Sequence, residues 1–157
     1  MTCTKYEIKE IKMTWVINFP GTGNAHLSMP AYSPPGSFII GGFFRIAAGA
    51  PSTMPMRGSS IDTSNFVTRQ GGVFDVRLGG DSLTTAIPVL DDTDYTWSIT
   101  RGAGAAIIID VNGVQESKSS SATPHFDLIG RLANGILFRG LIGDRGILDG
   151  DPGGDRL

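Results

Sequence analysis

The chain has 157 residues, of which 40% are hydrophobic and 18% charged, with a formal net charge of −2. That length suits one domain with a sizeable core, and the charged share lies below the roughly 25% usual in globular proteins. The 13 Lys and Arg are dispersed, which argues against a nucleic-acid partner, and no apolar run nears the roughly 20 residues of a membrane-spanning helix, so no membrane insertion is expected.

Residues 1–12 (MTCTKYEIKEIK) hold three of the four lysines and two of the three glutamates. They read as a polar N-terminal extension ahead of a domain over 13–148, without the apolar stretch of a signal peptide. Cys3 is the single cysteine, so no internal disulfide and no cysteine-built zinc cluster can form.

From Thr14 the pattern is β. Thr14 to Phe19 alternates and stops at Pro20-Gly21. His26 to Met29 reads as a short strand closed by Pro30. Ser37 to Ala47 (SFIIGGFFRIA) is apolar enough for a central strand buried on both faces, and its Gly41-Gly42 pair predicts a bulge or a close backbone approach. Residues 48–60, with Met54 and Met56 flanking Pro55, read as an adaptable loop suited to a protein contact. Ile61–Arg69 and Val73–Leu78 read as strands. Gly79-Gly80-Asp81-Ser82 reads as a hairpin turn, with Leu83–Val89 pairing back. Asp91-Asp92-Thr93-Asp94 is an acidic turn.

The segment DYTWSITRGAGAAIIIDVNGVQ, Asp94 to Gln115, fixes the class. Tyr95–Thr100 and Ala106–Val111 are strands joined by a glycine turn. Asn112-Gly113 is the dipeptide best able to hold positive φ at both centres of a type I′ turn, so a third strand starts near Val114. Glu116 to Thr123 reads as an exposed edge or loop, Phe126–Ile129 as a strand, Arg131–Gly135 as a turn and Ile136–Leu148 as a last long strand. Residues 149–157 read as a polar tail. About a dozen short strands without a capped helical period mean an all-β, antiparallel two-sheet sandwich or jelly roll.

The order of motifs resembles laminin-G-like and concanavalin A-like lectin domains. Phe19-Pro20-Gly21-Thr22-Gly23-Asn24 followed by His26–Pro30 resembles their opening. Ser37–Arg45 resembles their second long strand, Tyr95–Arg101 their tryptophan strand, Ile108–Val114 their hairpin (with Asn112 in place of the usual aspartate) and Phe138–Arg145 their closing strand. The resemblance covers roughly residues 14–148 and implies a concanavalin A-like jelly roll. Phe19, Phe38, Phe43, Trp97 and Phe138 are then expected as core residues between facing sheets. Such a fold hosts lectins, glycanases, adhesion modules and virion proteins, so it does not decide function.

Chemistry is sparse. A glycanase needs paired carboxylates on one face, roughly 5 to 10 Å apart. Glu7 and Glu10 lie in the extension, Glu116 lies in a polar stretch, and no strand carries a run such as Glu-x-Asp-x-x-Glu. A second acid facing Asp75 or Asp110 would restore the enzymatic reading. His26 and His125 lack a zinc or triad pattern, a Gly-x-Ser-x-Gly elbow is absent, and the glycine pairs are not phosphate loops. Asp91, Asp92 and Asp94 are the candidate metal ligands, with calcium the ion their hard oxygens suit, and Asp144, Asp149 and Asp151 form a weaker cluster. No other cofactor is expected. Sugar recognition uses aromatic faces and planar polar groups, for which Tyr32, Tyr95 and Trp15 are the exposed candidates, with Asn65, Arg57 and Arg69 in or near loops.

These readings converge on a non-enzymatic binding or structural module. Two forms are expected: a virion-associated phage capsid decoration or tail appendage, and a free-standing carbohydrate-binding module. Expected partners are other copies of the chain or other virion proteins, and cell-surface glycan. The expected location is the virion, or the extracellular space by a route without a visible signal peptide.

Overall fold

The computed structural model describes residues 15–23 and 25–149, with side chains over 17–23 and 25–143. The extension at 1–12 with Cys3, Glu7 and Glu10, the polar tail beyond Asp149 and the Trp15, Asp144, Asp149 and Asp151 side chains lie outside the described residues.

Twelve strands follow one another: β1 (Trp15–Pro20), β2 (Leu27–Tyr32), β3 (Phe38–Ile46), β4 (Thr53–Gly58), β5 (Phe66–Gln70), β6 (Val73–Leu78), β7 (Asp81–Ser82), β8 (Asp94–Arg101), β9 (Ala106–Val111), β10 (Val114–Ser119), β11 (Phe126–Ile129) and β12 (Arg139–Asp149). They form two six-stranded antiparallel sheets, ordered β1-β12-β3-β8-β9-β10 and β2-β11-β4-β5-β6-β7. The described residues contain no helix, and hence none long and apolar enough to cross a membrane.

Alternation drives the packing. In β3, Phe38, Ile40, Phe44 and Ile46 are fully buried, whereas Ile39, Phe43 and Arg45 on the other face are half-buried. The strand is therefore covered fully on one face only. Phe44, not Phe43, is its core aromatic, because Phe38 fixes the inward parity and side chains alternate with a period of two. Phe44 stacks on Tyr95 of β8 at 5.1 Å and faces Phe74 of β6, from the other sheet, at 6.2 Å. Phe19 meets Phe138 edge-on at 6.2 Å. Such pairs contribute roughly 0.5–1.5 kcal/mol beyond their buried area. Gly41 makes the expected close approach, since a Cβ there would sit 2.6 Å from the Trp97 carbonyl oxygen.

The β8-β9-β10 meander matches the sequence reading, with Asn112 and Gly113 at φ 51° and 83°. Elsewhere the structure departs from it. Residues 53–58 are strand, not loop. Pro55 fits because the β4–β5 register shifts between Pro55 and Arg57, so the missing N–H falls at an irregularity. Strand β2 continues through Pro30 along a sheet edge, where no neighbour needs that N–H. Leu83–Val89 does run back along β6, through Leu83 N–H to the Val76 carbonyl at 2.8 Å and Phe74 N–H to the Ile87 carbonyl at 2.9 Å. It forms no full ladder: Val73 and Pro88 make an isolated bridge, and the Phe74 carbonyl accepts both the Thr85 N–H at 3.1 Å and its hydroxyl at 2.7 Å.

Candidate functional site

The outer face of the second sheet carries the most suggestive polar group. In β6, Phe74, Val76 and Leu78 point into the core and are fully buried, which turns Val73, Asp75 and Arg77 to the outer face, where Asp75 is only 6% exposed. Register brings Thr68 of β5 beside Asp75 and Phe66 beside Arg77. Strand β7 places Ser82 opposite Arg77, and Thr84 follows it. Gln70, Asp75, Arg77, Ser82 and Thr84 line a depression of about 200 Å³.

The Thr84 hydroxyl donates to Asp75 Oδ1 at 2.5 Å and lies 3.2 Å from the Ser82 hydroxyl. The Arg77 guanidinium rests on the Phe66 ring, 5.2 Å from its centroid. Arg77 forms no ion pair among the described residues, and its Nε is buried without a hydrogen-bond partner. The depression thus sets an acceptor (Asp75), a donor fork (Arg77), an amide (Gln70) and two hydroxyls side by side. A sugar hydroxyl both donates and accepts, and this mixture suits it.

The five expected ligand-binding residues lie outside this depression, and the pairing they make with another expected site residue is Arg69 with Asp91. Four of the five expected ligand-binding side chains are buried, which corrects the expectation that they are exposed. Arg57 donates to the Met29 thioether at 3.3 Å. Asn65 Oδ1 accepts the Gly79 N–H at 2.7 Å. Arg69 is paired with Asp91 at 2.5 Å. Tyr95 stacks in the core with its hydroxyl accepting the Leu90 N–H at 2.9 Å. Tyr32 is half-buried against the core. Asn65, Arg69 and Tyr95 each anchor a loop from within.

The acidic turn is likewise engaged by the protein. Asp91 Oδ1 takes Arg69 and its Oδ2 takes the Gly49 N–H at 3.0 Å. Asp92 Oδ1 accepts the Ala48 N–H at 3.1 Å, and Asp94 Oδ1 accepts Arg45 Nε at 2.6 Å. The Arg45 hydrogen bond holds the Asp94 carboxyl below its ordinary pKa. The described residues hold no group of three His, Cys, Asp or Glu placed to grip a metal ion.

Nor do the acids pair. Asp75 is held by Thr84, while Asp110 takes the Gly113 N–H and the Gln115 amide, both at 2.9 Å. One chain of groups mimics a hydrolytic triad: the Ser33 hydroxyl meets His125 Nδ1 at 2.9 Å. The next link is broken, because His125 Nε2 lies 3.7 Å from Asp127, beyond hydrogen-bond reach. The Asp127 oxygens instead accept the Ser60 N–H at 2.6 Å and the Ser60 hydroxyl.

This candidate face is not legible in the sequence because its partners come from three separate segments. Its one local signal is the alternation Val73-Phe74-Asp75-Val76-Arg77-Leu78, which puts two opposite charges on one strand face.

No protein-family model matches the chain, and a search of curated proteins returns no match. Solved structures do match. Domains LG4-5 of the mouse laminin alpha1 chain align with 80% of this chain at 19% identity and a TM-score of 0.58. This chain spans only 38% of that one. The native heptameric SAP-like pentraxin of Limulus polyphemus aligns with 87% of this chain, and 76% of its own, at 12% identity and a TM-score of 0.53. At these identities the likeness concerns the fold, and the fold is that of the lectin-like jelly-roll sandwiches.

Proposed function

We propose that this chain is a non-enzymatic carbohydrate-binding module whose ligand lies over the outer face of β5 and β6. The observation that carries the reading is Arg77. Its guanidinium lies over the Phe66 ring and has no ion-pair partner among the described residues, beside an Asp75 carboxylate braced by Thr84. Fixed planar donors and acceptors in one depression are how a site discriminates between sugar hydroxyls. The lectin-like fold supports the reading. Against a glycan hydrolase or lyase stand the separate hydrogen-bond commitments of Asp75 and Asp110. A virion-associated role draws no support from this geometry. The most exposed large apolar side chains, Ile61, Leu90 and Val114, fall on three separate segments and do not share one strand face.

A glycan array followed by calorimetry on the best hits tests the proposal. Arg77→Ala and Asp75→Asn should each weaken the selected glycan at least about tenfold, the loss of one good polar contact. Binding that survives both substitutions undiminished places the ligand elsewhere. Cleavage of the glycan during incubation overturns the non-enzymatic assignment.

A further inference from the structure

We infer that a second site, at one end of the sandwich, receives the carboxylate of an acidic saccharide through Arg101. The site is a cleft of about 420 Å³ lined by Pro35, Gly36, Ser37, the 102–105 turn, Ser121 and Arg101. It shares no lining residue with the β5–β6 depression, so either assignment can fail without the other.

Arg101 ends β8 and is only 2% exposed. Its guanidinium lies over the Phe38 ring, 4.8 Å from the centroid. Nε donates to the Gly36 carbonyl at 2.9 Å, Nη1 to the Ala122 carbonyl at 2.6 Å and Nη2 to the Pro34 carbonyl at 3.4 Å. These bonds fix the fork rigidly, yet none of the acceptors carries a charge. Among the described residues no carboxylate pairs with it. Buried charges in proteins are ordinarily paired with an opposite charge, and among the described residues this one has no such partner. Three of the five guanidinium N–H groups are used, so two remain for a ligand.

The walls sharpen the ligand class. Every other described lining residue is Gly, Ala, Ser or Pro, so among the described residues Arg101 is the only ionisable group facing the cleft. A low-dielectric wall around one cation focuses its field on the cleft, which favours an anion. The guanidinium fork takes a carboxylate or a phosphate equally in geometry, but one cation balances a singly charged carboxylate and leaves a doubly charged phosphate half-neutralised. Small side chains leave room for a pyranose ring behind that carboxylate.

Amide NMR of the intact chain, including the Arg101 Nε–H resonance, tests the site with glucuronate, glucose and sodium sulfate at matched ionic strength. Glucuronate should shift Arg101 Nε–H and the Gly102 and Gly104 amides saturably, while glucose and sulfate leave them in place. The proposal is overturned if glucuronate shifts none of them, or if glucose or sulfate shifts them as far. Arg101→Ala would release two loops and is unsuitable as the test variant. Ala103 is exposed on the turn, so Ala103→Asp places a negative charge at the cleft without disturbing the core. It should weaken glucuronate about tenfold or more through charge repulsion, whereas the neutral Ala103→Asn should retain most of the affinity. Equal effects of Asp and Asn would count against recognition by charge.

Discussion

Arg69 and Asp91, 22 residues apart in sequence, meet at 2.5 Å and lock the acidic turn to the end of β5. The Arg69 side chain is 8% exposed and also donates to the Pro51 carbonyl at 2.6 Å, so three segments converge on one guanidinium. Asp91→Ala would leave that buried charge with backbone carbonyls alone. Breaking a fully buried pair costs about 3–5 kcal/mol. The Asp91 side chain is 32% exposed, which lets water replace part of the interaction and reduces the expected loss to about 2 kcal/mol. Urea denaturation measures it, and a loss under about 0.5 kcal/mol would reduce the pair to an ordinary surface contact.

The same geometry predicts indifference to calcium. Asp91, Asp92 and Asp94 already serve Arg69, the Ala48 and Gly49 amides and Arg45. A cation entering the turn would have to displace these donors. Thermal unfolding should therefore have the same midpoint in EDTA as in millimolar calcium. A midpoint raised by several degrees in calcium would convert the turn from a structural brace to a ligand set.

The sequence made the fold readable and the site largely unreadable, for related reasons. Strands β8 to β10 announce themselves because Asn112-Gly113 encodes its own turn and the flanking alternation sets the register. Local patterns of this kind need no partner. Strand β4 was hidden because Pro55 and two methionines imitate a loop, and only the bulge opposite β5 accommodates them. The depression on β6 depends on long-range placement. Thr84 reaches Asp75 and Phe66 underlies Arg77 only after three segments pair. Polar residues that looked available for a ligand, such as Asn65 and Arg69, face inward because loop carbonyls and amides need partners there.

Acid sensitivity should have a contribution from Glu116. A hydrogen bond from Lys118, then one from the Ala86 N–H, holds its carboxyl below the ordinary value of 4.5. The folded state therefore releases the proton more readily than the unfolded chain. The resulting stabilisation is present above the unfolded pKa and is lost as pH falls from about 4.5 through the lowered folded value. Glu116→Gln should flatten that part of the stability–pH curve and leave the remainder parallel to wild type. Thermal melts between neutral and acidic pH compare the two, and an unchanged acid limb in the variant would remove Glu116 from the account.

Gly140 is the backbone position least able to accept a side chain. It has φ 138°, and a Cβ there would lie 2.0 Å from the Arg45 carbonyl oxygen and 3.0 Å from the Ala47 amide nitrogen. Both obstacles are backbone of β3 and its exit, so no rotamer change can relieve the clash. Relief would require β12 to move off β3, and with it Phe138 and Ile142 out of the core. Gly140→Ala should cost about 3 kcal/mol or more, from strain and disrupted pairing together. Gly113→Ala is the matched control: its φ is 83°, but nothing lies within 4 Å of the new methyl, so the cost should be about 1 kcal/mol from backbone conformation alone. Chemical denaturation of the two variants separates strain from steric exclusion. Equal losses would mean that β12 yields easily, and that its contact with β3 is softer than the register indicates.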